Sequence, residues 1–236
     1  TKPACQIFQF IVEKVLQGLK GVVNFLDDVC VTGVNDDDHL FNLKQVFERL
    51  SEAEFRLNYS KCEFFKDRIT YLGHKISAKG LEKDSDKIRA LVDCKIPENV
   101  TEVKALIGML NYYSRFIPDM SLKLKPFYDL TKSNAKFVWS KECNENFDLL
   151  KKELTSDKVL VHYDQKKPLR LMCDASFYGI AGILSHVMSD GSEKPIRFIS
   201  RILSKSEQNY SMIHKEALSI YWSVKKVVPI FGWDKI

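Results

Sequence analysis

The sequence predicts an α+β protein, with short hairpins in its first third, helices in its middle, and mixed strands and helices at its end. Two patterns carry this prediction. Runs of β-branched and aromatic residues bounded by turn residues, as in residues 21–33 and 169–200, are typical of short strands. Apolar residues recur at helical spacing in residues 8–19, 101–116 and 213–227. Hydrophobic residues form 45% and charged residues 28% of the 236 residues, the balance of a globular protein.

The opening helix is followed by GVVNFLDDVCVTG, residues 21–33, in which Asp27 and Asp28 interrupt an otherwise apolar run. Glycines at both ends and β-formers on each side predict a tight hairpin with the two aspartates at its turn. Adjacent carboxylates on rigid strands can present ligands to a hard divalent cation such as Mg²⁺. A solvated turn is the alternative, because aspartate favours turns in any case.

A helix over residues 40–50 comes next, with residues 35–38 suited to capping its amino end. Residues 57–65 and 69–76 are predicted as two strands joined at residues 66–68, a second hairpin that ends in YLGHKIS. His74 in this hairpin has no cysteine or carboxylate at metal-ligand spacing. It is predicted to be a packed or a nucleic-acid-contacting histidine.

The middle of the chain is predicted to be helical, with one helix over residues 84–92 and a longer one over residues 101–116 that Pro118 stops. The longer helix carries Tyr112, Tyr113 and Arg115, whose side chains can stack on bases and contact phosphates. Aromatic residues at helical spacing are more often part of a core, so the pattern alone leaves both interpretations open.

In the last third, a helix over residues 140–154 leads to strands over residues 169–173, 179–187 and 195–200. The final helix is predicted to bury a stripe formed by Ile213, Ala217, Ile220, Tyr221, Val224 and Val227. Asp174 closes the first strand, and Glu216 lies on the final helix beside that stripe. A carboxylate from a strand and another from a facing helix recur in two-metal phosphodiester sites, although each acid alone is also typical of a surface.

Composition argues against several other classes of protein. The six cysteines contain no CxxC pair, which indicates neither a zinc site nor a disulfide framework and favours a reducing compartment. No apolar run approaches the ~20 residues of a membrane span. We therefore expect a soluble intracellular protein, cytoplasmic, nuclear or both, with no membrane partner. The net charge of +5 is compatible with a polyanionic partner but does not require one.

Several motifs agree in order and spacing with one known family. The chain resembles, over essentially its whole length, the reverse transcriptase and ribonuclease H region of the Pol polyprotein of gypsy-type long-terminal-repeat retrotransposons. The motifs are, in chain order, PACQIFQ, FLDD, LNYSKCEFF with YLGHKIS, LIGMLNYYSRFIP, FVWSKECNENFDLLKKEL, DASFYGIAGIL, SRILSKSEQNYS and HKEALSIYW. FLDD alone is a weak signal, whereas this many motifs in family order are a strong one.

The resemblance implies three regions and a joint activity. Residues 1–78 would be the C-terminal part of a polymerase palm, residues 79–135 a helical thumb, and residues 136–236 the truncated beginning of a ribonuclease H-like α/β domain. The implied activity is RNA-directed DNA polymerase with associated ribonuclease H. The implied partners are primer–template nucleic acid, an RNA/DNA hybrid and dNTPs, with an integrase or a protease in a parent polyprotein.

For the polymerase, the resemblance implies that Asp27 binds Mg²⁺ together with an aspartate from a strand before residue 1, and that Asp28 supports the same site. Phe25 would pack beneath the primer end, where the family more often has tyrosine. The implied primer grip and thumb contacts are Leu72, Gly73, His74, Tyr112, Tyr113 and Arg115.

For the ribonuclease, Asp174 and Glu216 match the first two metal-binding acids of the family, and at least one further aspartate would lie beyond Ile236. Both two-metal sites would therefore be completed by residues outside this chain. The expectation is that the chain alone is inactive in both reactions. The rival hypothesis is a non-catalytic, transposon-derived remnant that acts as a nucleic-acid-binding module.

Overall fold

The computed structural model describes residues 2–133 and 135–231, which divide after Asp67 into two separately packed units. The first unit contains the elements α1 (Lys2–Leu16), β1 (Val22–Phe25), β2 (Asp28–Val31) and α2 (Asp36–Glu52). The predicted opening helix, first hairpin and capped second helix are confirmed. The helices pack on each other and on the hairpin, and the buried side chains of this core are Val12, Leu16, Val46 and Leu50.

The predicted strand over residues 57–65 is wrong. This segment contains one turn of 3-10 helix, Tyr59–Lys61, between irregular stretches. Its cap explains the difference, because Asn58 Oδ1 accepts hydrogen bonds from the backbone amide (3.2 Å) and the hydroxyl (2.7 Å) of Ser60. An asparagine that bonds to its neighbouring backbone competes with a strand ladder, so local polar contacts outweigh the apolar pattern here.

The second unit begins with an antiparallel sheet of β3 (Arg68–Tyr71), β4 (His74–Ser77) and β5 (Gly80–Lys83). The prediction of one strand over residues 69–76 is wrong, because the chain reverses inside it at Leu72 and Gly73. These residues have positive φ angles of 46° and 69°, and a two-residue hairpin turn of type I′ requires a positive φ at both positions. The second hairpin therefore exists with a different turn, and β5 is a strand that the pattern does not predict.

Four helices follow the sheet: α3 (Ser85–Val92), α4 (Val100–Tyr112), α5 (Met120–Leu130) and α6 (Lys141–Thr155). The helices predicted over residues 84–92 and 140–154 are confirmed. The helix predicted over residues 101–116 ends at Tyr112 and continues as a 3-10 turn, and α5 is an addition to the predicted elements. The largest core of the second unit lies among these helices, with completely buried side chains at Val103, Phe116, Phe127 and Leu150.

A second antiparallel sheet comprises β6 (Leu169–Ala175), β7 (Gly179–Val187) and β8 (Glu193–Ile202), which confirms the three predicted strands. After the short α7 (Lys205–Gln208), the helix α8 (Met212–Val227) packs on β6 and β7. The helix α5 packs on β8, where Ser121 donates hydrogen bonds of 3.0 and 2.8 Å to Ser200. No helix in the described part of the chain combines the length and apolar character that a membrane crossing needs.

The face of α8 that meets the sheet differs from the predicted one. Only Val227 of the predicted stripe is buried, and the exposed members are Ile213, Ala217, Ile220, Tyr221 and Val224. The buried face includes Ser219 and Ser223 instead. These small side chains let the helix approach the sheet at Gly182, where an added Cβ would lie 2.7 Å from Ser223 Oγ. Close packing of small residues therefore outweighs the apolar stripe at this interface.

Candidate active site and nucleic-acid surface

The turn between β1 and β2 carries the first pair of carboxylates. Leu26 and Asp27 form the two-residue loop, and Asp28 begins β2 opposite Phe25, which is 50% exposed. Asp27 and Asp28 are both exposed, and neither makes an ion pair with a described residue. Two unpaired carboxylates side by side offer the hard oxygen ligands that Mg²⁺ prefers, so this donor set fits the metal.

Gln9 on α1 holds this turn, a role that the sequence pattern does not reveal. Its Oε1 accepts a hydrogen bond from the Leu26 amide, and its Nε2 donates to Glu13 Oε1 at 2.6 Å. Leu26 has a φ angle of 53°, a left-handed conformation that residues with a side chain rarely adopt. Gln9 therefore stabilises a strained residue directly before Asp27. Its place in PACQIFQ was the available signal, but the role depends on a contact formed only on folding.

Replacing Gln9 with alanine is expected to loosen the turn. Loss of one hydrogen bond to a half-buried amide costs about 1 kcal/mol, which corresponds to roughly fivefold faster exchange of the Leu26 amide. Hydrogen exchange followed by NMR measures this rate. Gln6→Ala is the matched control, because Gln6 is exposed on the same helix. An unchanged exchange rate of the Leu26 amide in Gln9→Ala, or equal acceleration in both variants, would rule out this role of Gln9.

The second pair of carboxylates lies on two elements that pack together. Asp174 is exposed near the end of β6, and Glu216 is half-buried on α8, which packs against β6. The pair offers hard oxygen ligands on a strand and on a neighbouring helix. The adjacent Lys215 is 2% exposed, with its Nζ 4.3 Å from the centre of the Phe177 ring. Residues 2–133 and 135–231 contain no group of three or more His, Cys, Asp or Glu side chains arranged to hold a metal ion.

The tip of the β3–β4 hairpin rests on α4 through aromatic contacts. The ring of His74 stacks on that of Tyr112, with 4.8 Å between the centroids and 7° between the planes. Tyr113 meets the same ring edge-on at 6.0 Å. Gly73 fits tightly against this helix, because an added Cβ would lie 2.7 Å from the Tyr112 hydroxyl oxygen. The hairpin tip and the end of α4 are therefore held together as one surface.

Burial divides the predicted contacts of this surface into two groups. Leu72 and Tyr112 are 40% and 42% exposed, and Arg115 is half-buried. His74 and Tyr113 are only 7% and 2% exposed. Burial raises the pKa of Tyr113 to about 12, and its hydroxyl has no hydrogen-bond partner among the described residues. His74 and Tyr113 therefore present little area to a ligand and pack behind the exposed side chains.

Acid is expected to destabilise the second unit through His74. Burial, with the charges of Arg115 and Lys87 nearby, lowers the pKa of His74 from 6.5 to about 4. Between these two pH values, His74 binds a proton more readily in the unfolded chain than in the folded protein. The contribution of neutral His74 to the free energy of unfolding is therefore complete above pH 6.5 and is lost as the pH falls towards 4. The expected loss between about pH 7 and pH 5 is about 2 kcal/mol in the free energy of unfolding.

Denaturant titrations followed by tryptophan fluorescence measure this loss, because residues 1–67 contain no tryptophan and Trp139 and Trp222 belong to the second unit. His74→Phe keeps an aromatic ring that does not titrate, and His214→Phe is the control at an exposed histidine. The acid sensitivity should shrink only in His74→Phe. If this variant loses as much stability as the unmodified chain, His74 is not the acid-sensitive group.

Two family models match the chain. Residues 2–76 match the reverse transcriptase (RNA-dependent DNA polymerase) family, and residues 139–236 match the RNase H-like domain found in reverse transcriptase. The retrovirus-related Pol polyprotein from transposon opus of Drosophila melanogaster is 34% identical over 94% of this chain and 23% of its own length. The transposon Tf2-3 polyprotein of Schizosaccharomyces pombe is 30% identical over 92% of this chain and 16% of its own length. The chain thus spans less than a quarter of either relative.

Solved structures of similar fold come from foamy viral protease-reverse transcriptase. The dRH form in complex with ds DNA aligns with a TM-score of 0.83 and 22% identity, over 96% of this chain and 40% of that chain. The protein in complex with RNA/DNA hybrid aligns with a TM-score of 0.81 and 23% identity, over 96% of this chain and 31% of that chain. At this identity the likeness concerns the fold, and it confirms the predicted α+β class.

Proposed function

We propose that the chain, whose residues 2–76 and 139–236 match the reverse transcriptase and RNase H-like family models, is part of a gypsy-type RNA-directed DNA polymerase with associated ribonuclease H from a retrotransposon Pol polyprotein. One observation carries the proposal: Asp27 and Asp28 are exposed and unpaired on a hairpin turn, inside the segment that the reverse transcriptase model matches. The proposal divides the chain into three regions, which are the later palm (residues 1–78), the thumb (79–135) and the first part of a ribonuclease H-like domain (136–236). The last five residues lie outside the described part of the chain.

In the proposed polymerase site, Asp27 and Asp28 bind Mg²⁺ together with an aspartate outside this chain. When bound, Mg²⁺ lowers the pKa of the primer 3′-hydroxyl and neutralises the charge that develops on the transferring phosphorus of a dNTP. The chain contributes geometry, since Gln9 holds the turn and the β1–β2 ladder keeps the two carboxylates adjacent. Phe25 offers an apolar ring beside this turn for the primer end.

In the proposed ribonuclease site, Asp174 and Glu216 bind Mg²⁺ with at least one further acid outside this chain. Asp174 belongs to a strand paired with β7 along its whole length, so its backbone position is well defined. Glu216 lies on α8, which packs on that sheet. Their proposed task is to hold metal ions that activate water for cleavage of the RNA strand of a hybrid.

The proposed nucleic-acid surface consists of the hairpin tip and the end of α4. Leu72 and Tyr112 supply apolar and aromatic contact area, and Arg115 supplies a charge for phosphate. His74 and Tyr113 act as positioning residues behind them. The proposed ligands are primer–template and RNA/DNA hybrid, which is in line with the complexes named for the foamy viral structures. A parent polyprotein with a protease or an integrase is in line with the Pol relatives.

Binding of a fluorescent RNA/DNA hybrid to the chain tests this surface. We expect affinity to fall steeply between about 50 and about 200 mM salt, because phosphate contacts release counterions. Arg115→Gln should reduce the slope of log affinity against log salt by about 1, whereas Arg170→Gln, at an exposed arginine of β6, should not. No binding at low salt would exclude both the proposed nucleic-acid surface and the hypothesis of a nucleic-acid-binding remnant. Binding together with an inactive longer protein would favour the remnant.

A further inference from the structure

A cleft of about 650 Å³ lies between β4, β5, the helix α3 and the segment after α6. Its lining is strongly basic. Against the two acids Glu82 and Asp157 it has six basic side chains, those of Arg68, Lys75, Lys79, Lys83, Arg89 and Lys158. None of its described lining residues belongs to either carboxylate pair or to the hairpin tip that rests on α4. The cleft is therefore a separate feature of the second unit.

The protein neutralises only part of this charge. Arg68 pairs with Glu82, Lys75 with Asp84 and Lys158 with Glu153, which leaves three of the six cations without an ion pair to a described residue. Lys79 and Arg89 are exposed, and neither makes an ion pair with any residue that the structure describes. A concave surface with surplus positive charge concentrates anions, because its low-dielectric walls focus the field. Lys79 and Arg89 are thus free to contact a ligand.

Lys83 is the most deeply buried of the six cations, at 9% exposed. Its Nζ donates to the backbone oxygens of Glu153 (3.1 Å) and Ser156 (2.6 Å) and to the Ser156 hydroxyl (3.2 Å). All three acceptors are neutral, and no described carboxylate lies within ion-pair distance of this ammonium group. Because its three N–H donors are already used, Lys83 acts on an entering anion through its fixed charge.

We propose that this cleft binds a small, multiply phosphorylated anion, with Lys79 and Arg89 contacting the phosphates and Lys83 supplying a fixed positive charge. The cleft volume lies in the range of small-molecule sites. The planar guanidinium of Arg89 suits bidentate phosphate binding. Ser85 in the lining adds a hydroxyl donor, because its Oγ accepts a hydrogen bond from Lys75 Nζ and its own O–H is not used. Inorganic polyphosphate and a free nucleotide share this chemistry, and calorimetric titrations with each of them distinguish the two.

The binding should depend on pH in a way that surface lysines do not reproduce. Burial, with the charge of Lys158 nearby, lowers the pKa of Lys83 to about 8, and the carboxylates of Glu153 and Asp157 oppose this shift only in part. An anion favours the protonated form, so its affinity should fall about tenfold between about pH 7 and pH 9 as Lys83 loses its proton. The pKa of an ordinary lysine is about 10.4, so such a lysine keeps its charge over this interval. Affinity that does not change with pH would contradict the role of Lys83.

Isothermal titration of the full chain with tripolyphosphate, at about 150 mM salt to suppress diffuse binding, tests the proposal. One saturable site is expected. The double variant Lys79→Ala, Arg89→Ala should bind at least about tenfold more weakly, since two charge-assisted contacts are lost. The double variant Lys141→Ala, Lys152→Ala, at exposed lysines of α6, is the matched control and should bind as the unmodified chain does. Tryptophan fluorescence checks that both variants remain folded.

Further titrations identify the ligand class. Tighter binding of ATP than of tripolyphosphate would support a nucleotide, and equal affinity would support the phosphate chain alone. Adenosine binding as tightly as ATP would overturn the proposal, as would absence of a saturable site or equal weakening in the control variant. Displacement of tripolyphosphate by an RNA/DNA hybrid would also overturn it, because the cleft would then belong to the nucleic-acid surface.

Discussion

Primer extension on an RNA template is expected to fall at least about a thousandfold when Asp27 is replaced by asparagine in a longer protein that carries this chain with the regions flanking it in its relatives. The amide is neutral and binds Mg²⁺ weakly, and metal stabilisation of the transition state amounts to several kcal/mol, of which about 4 kcal/mol is a thousandfold in rate. Asp27 has no ion pair to lose with a described residue, so the fold should be retained.

The matched control is Asp37→Asn in the same longer protein. Asp37 is another exposed acid of the first unit, in the first turn of α2, and it belongs to no proposed site. Its replacement should leave the extension rate within about twofold, because it changes only a surface charge near a helix end. Equal losses in the two variants would indicate a general effect of charge. An unchanged rate in Asp27→Asn would remove this residue from the site.

The free energy of unfolding of the second unit is expected to fall by about 3–5 kcal/mol in Phe127→Ala. Phe127 is completely buried on α5, in the core shared by α4, α5 and α6, and its ring stacks on Trp139 at 5.4 Å. Truncation leaves a cavity that the closely packed surroundings can fill only in part. Denaturant unfolding followed by tryptophan fluorescence measures the change, with Trp139 as a local reporter.

Tyr221→Ala is the control for this stability measurement. Tyr221 is a large aromatic residue of the same unit but is 64% exposed on α8. Its truncation should change the unfolding free energy by no more than about 0.5 kcal/mol. A loss of less than about 1 kcal/mol in Phe127→Ala, or a similar loss in both variants, would be incompatible with the core described here.

The elements that the sequence predicts well are those decided by local interactions. The hairpin around Asp27 follows from β-formers on both sides of two turn residues, and α2, α3 and α6 begin at capping side chains that the pattern contains. The strand predicted over residues 57–65 fails for a local reason too, because Asn58 forms a competing turn. Helix boundaries and strand identities of this kind depend on a few neighbouring residues.

Features that depend on distant contacts could not be predicted in this way. The buried face of α8 depends on Gly182 in another element, which admits Ser223 at close range. Likewise, Gln9 acquires its role only when α1 meets the hairpin turn, and the charge of Lys83 becomes important only when its neighbours enclose it. Residue type and spacing contain little information about such contacts, because the pairs are far apart in the chain.

For the candidate site, the sequence indicates the four acids Asp27, Asp28, Asp174 and Glu216, since adjacent carboxylates and strand-end acids have recognisable patterns. It does not separate the residues at the surface from those behind it. Tyr112 and Tyr113 are neighbours of identical type, yet one is 42% and the other 2% exposed. Helix geometry sends adjacent side chains in different directions, so which one faces solvent depends on how α4 packs.

Magnesium-dependent primer extension on an RNA template, run in parallel on this chain alone and on the longer protein, tests the central claim most directly. The claim is that Asp27 and Asp28 are part of a polymerase metal site that residues outside this chain complete. The account predicts extension by the longer protein, loss of that extension when Mg²⁺ is removed, and no extension by the chain alone under the same conditions. Extension by the 236-residue chain alone would contradict it, as would a longer protein that binds the hybrid but never extends the primer.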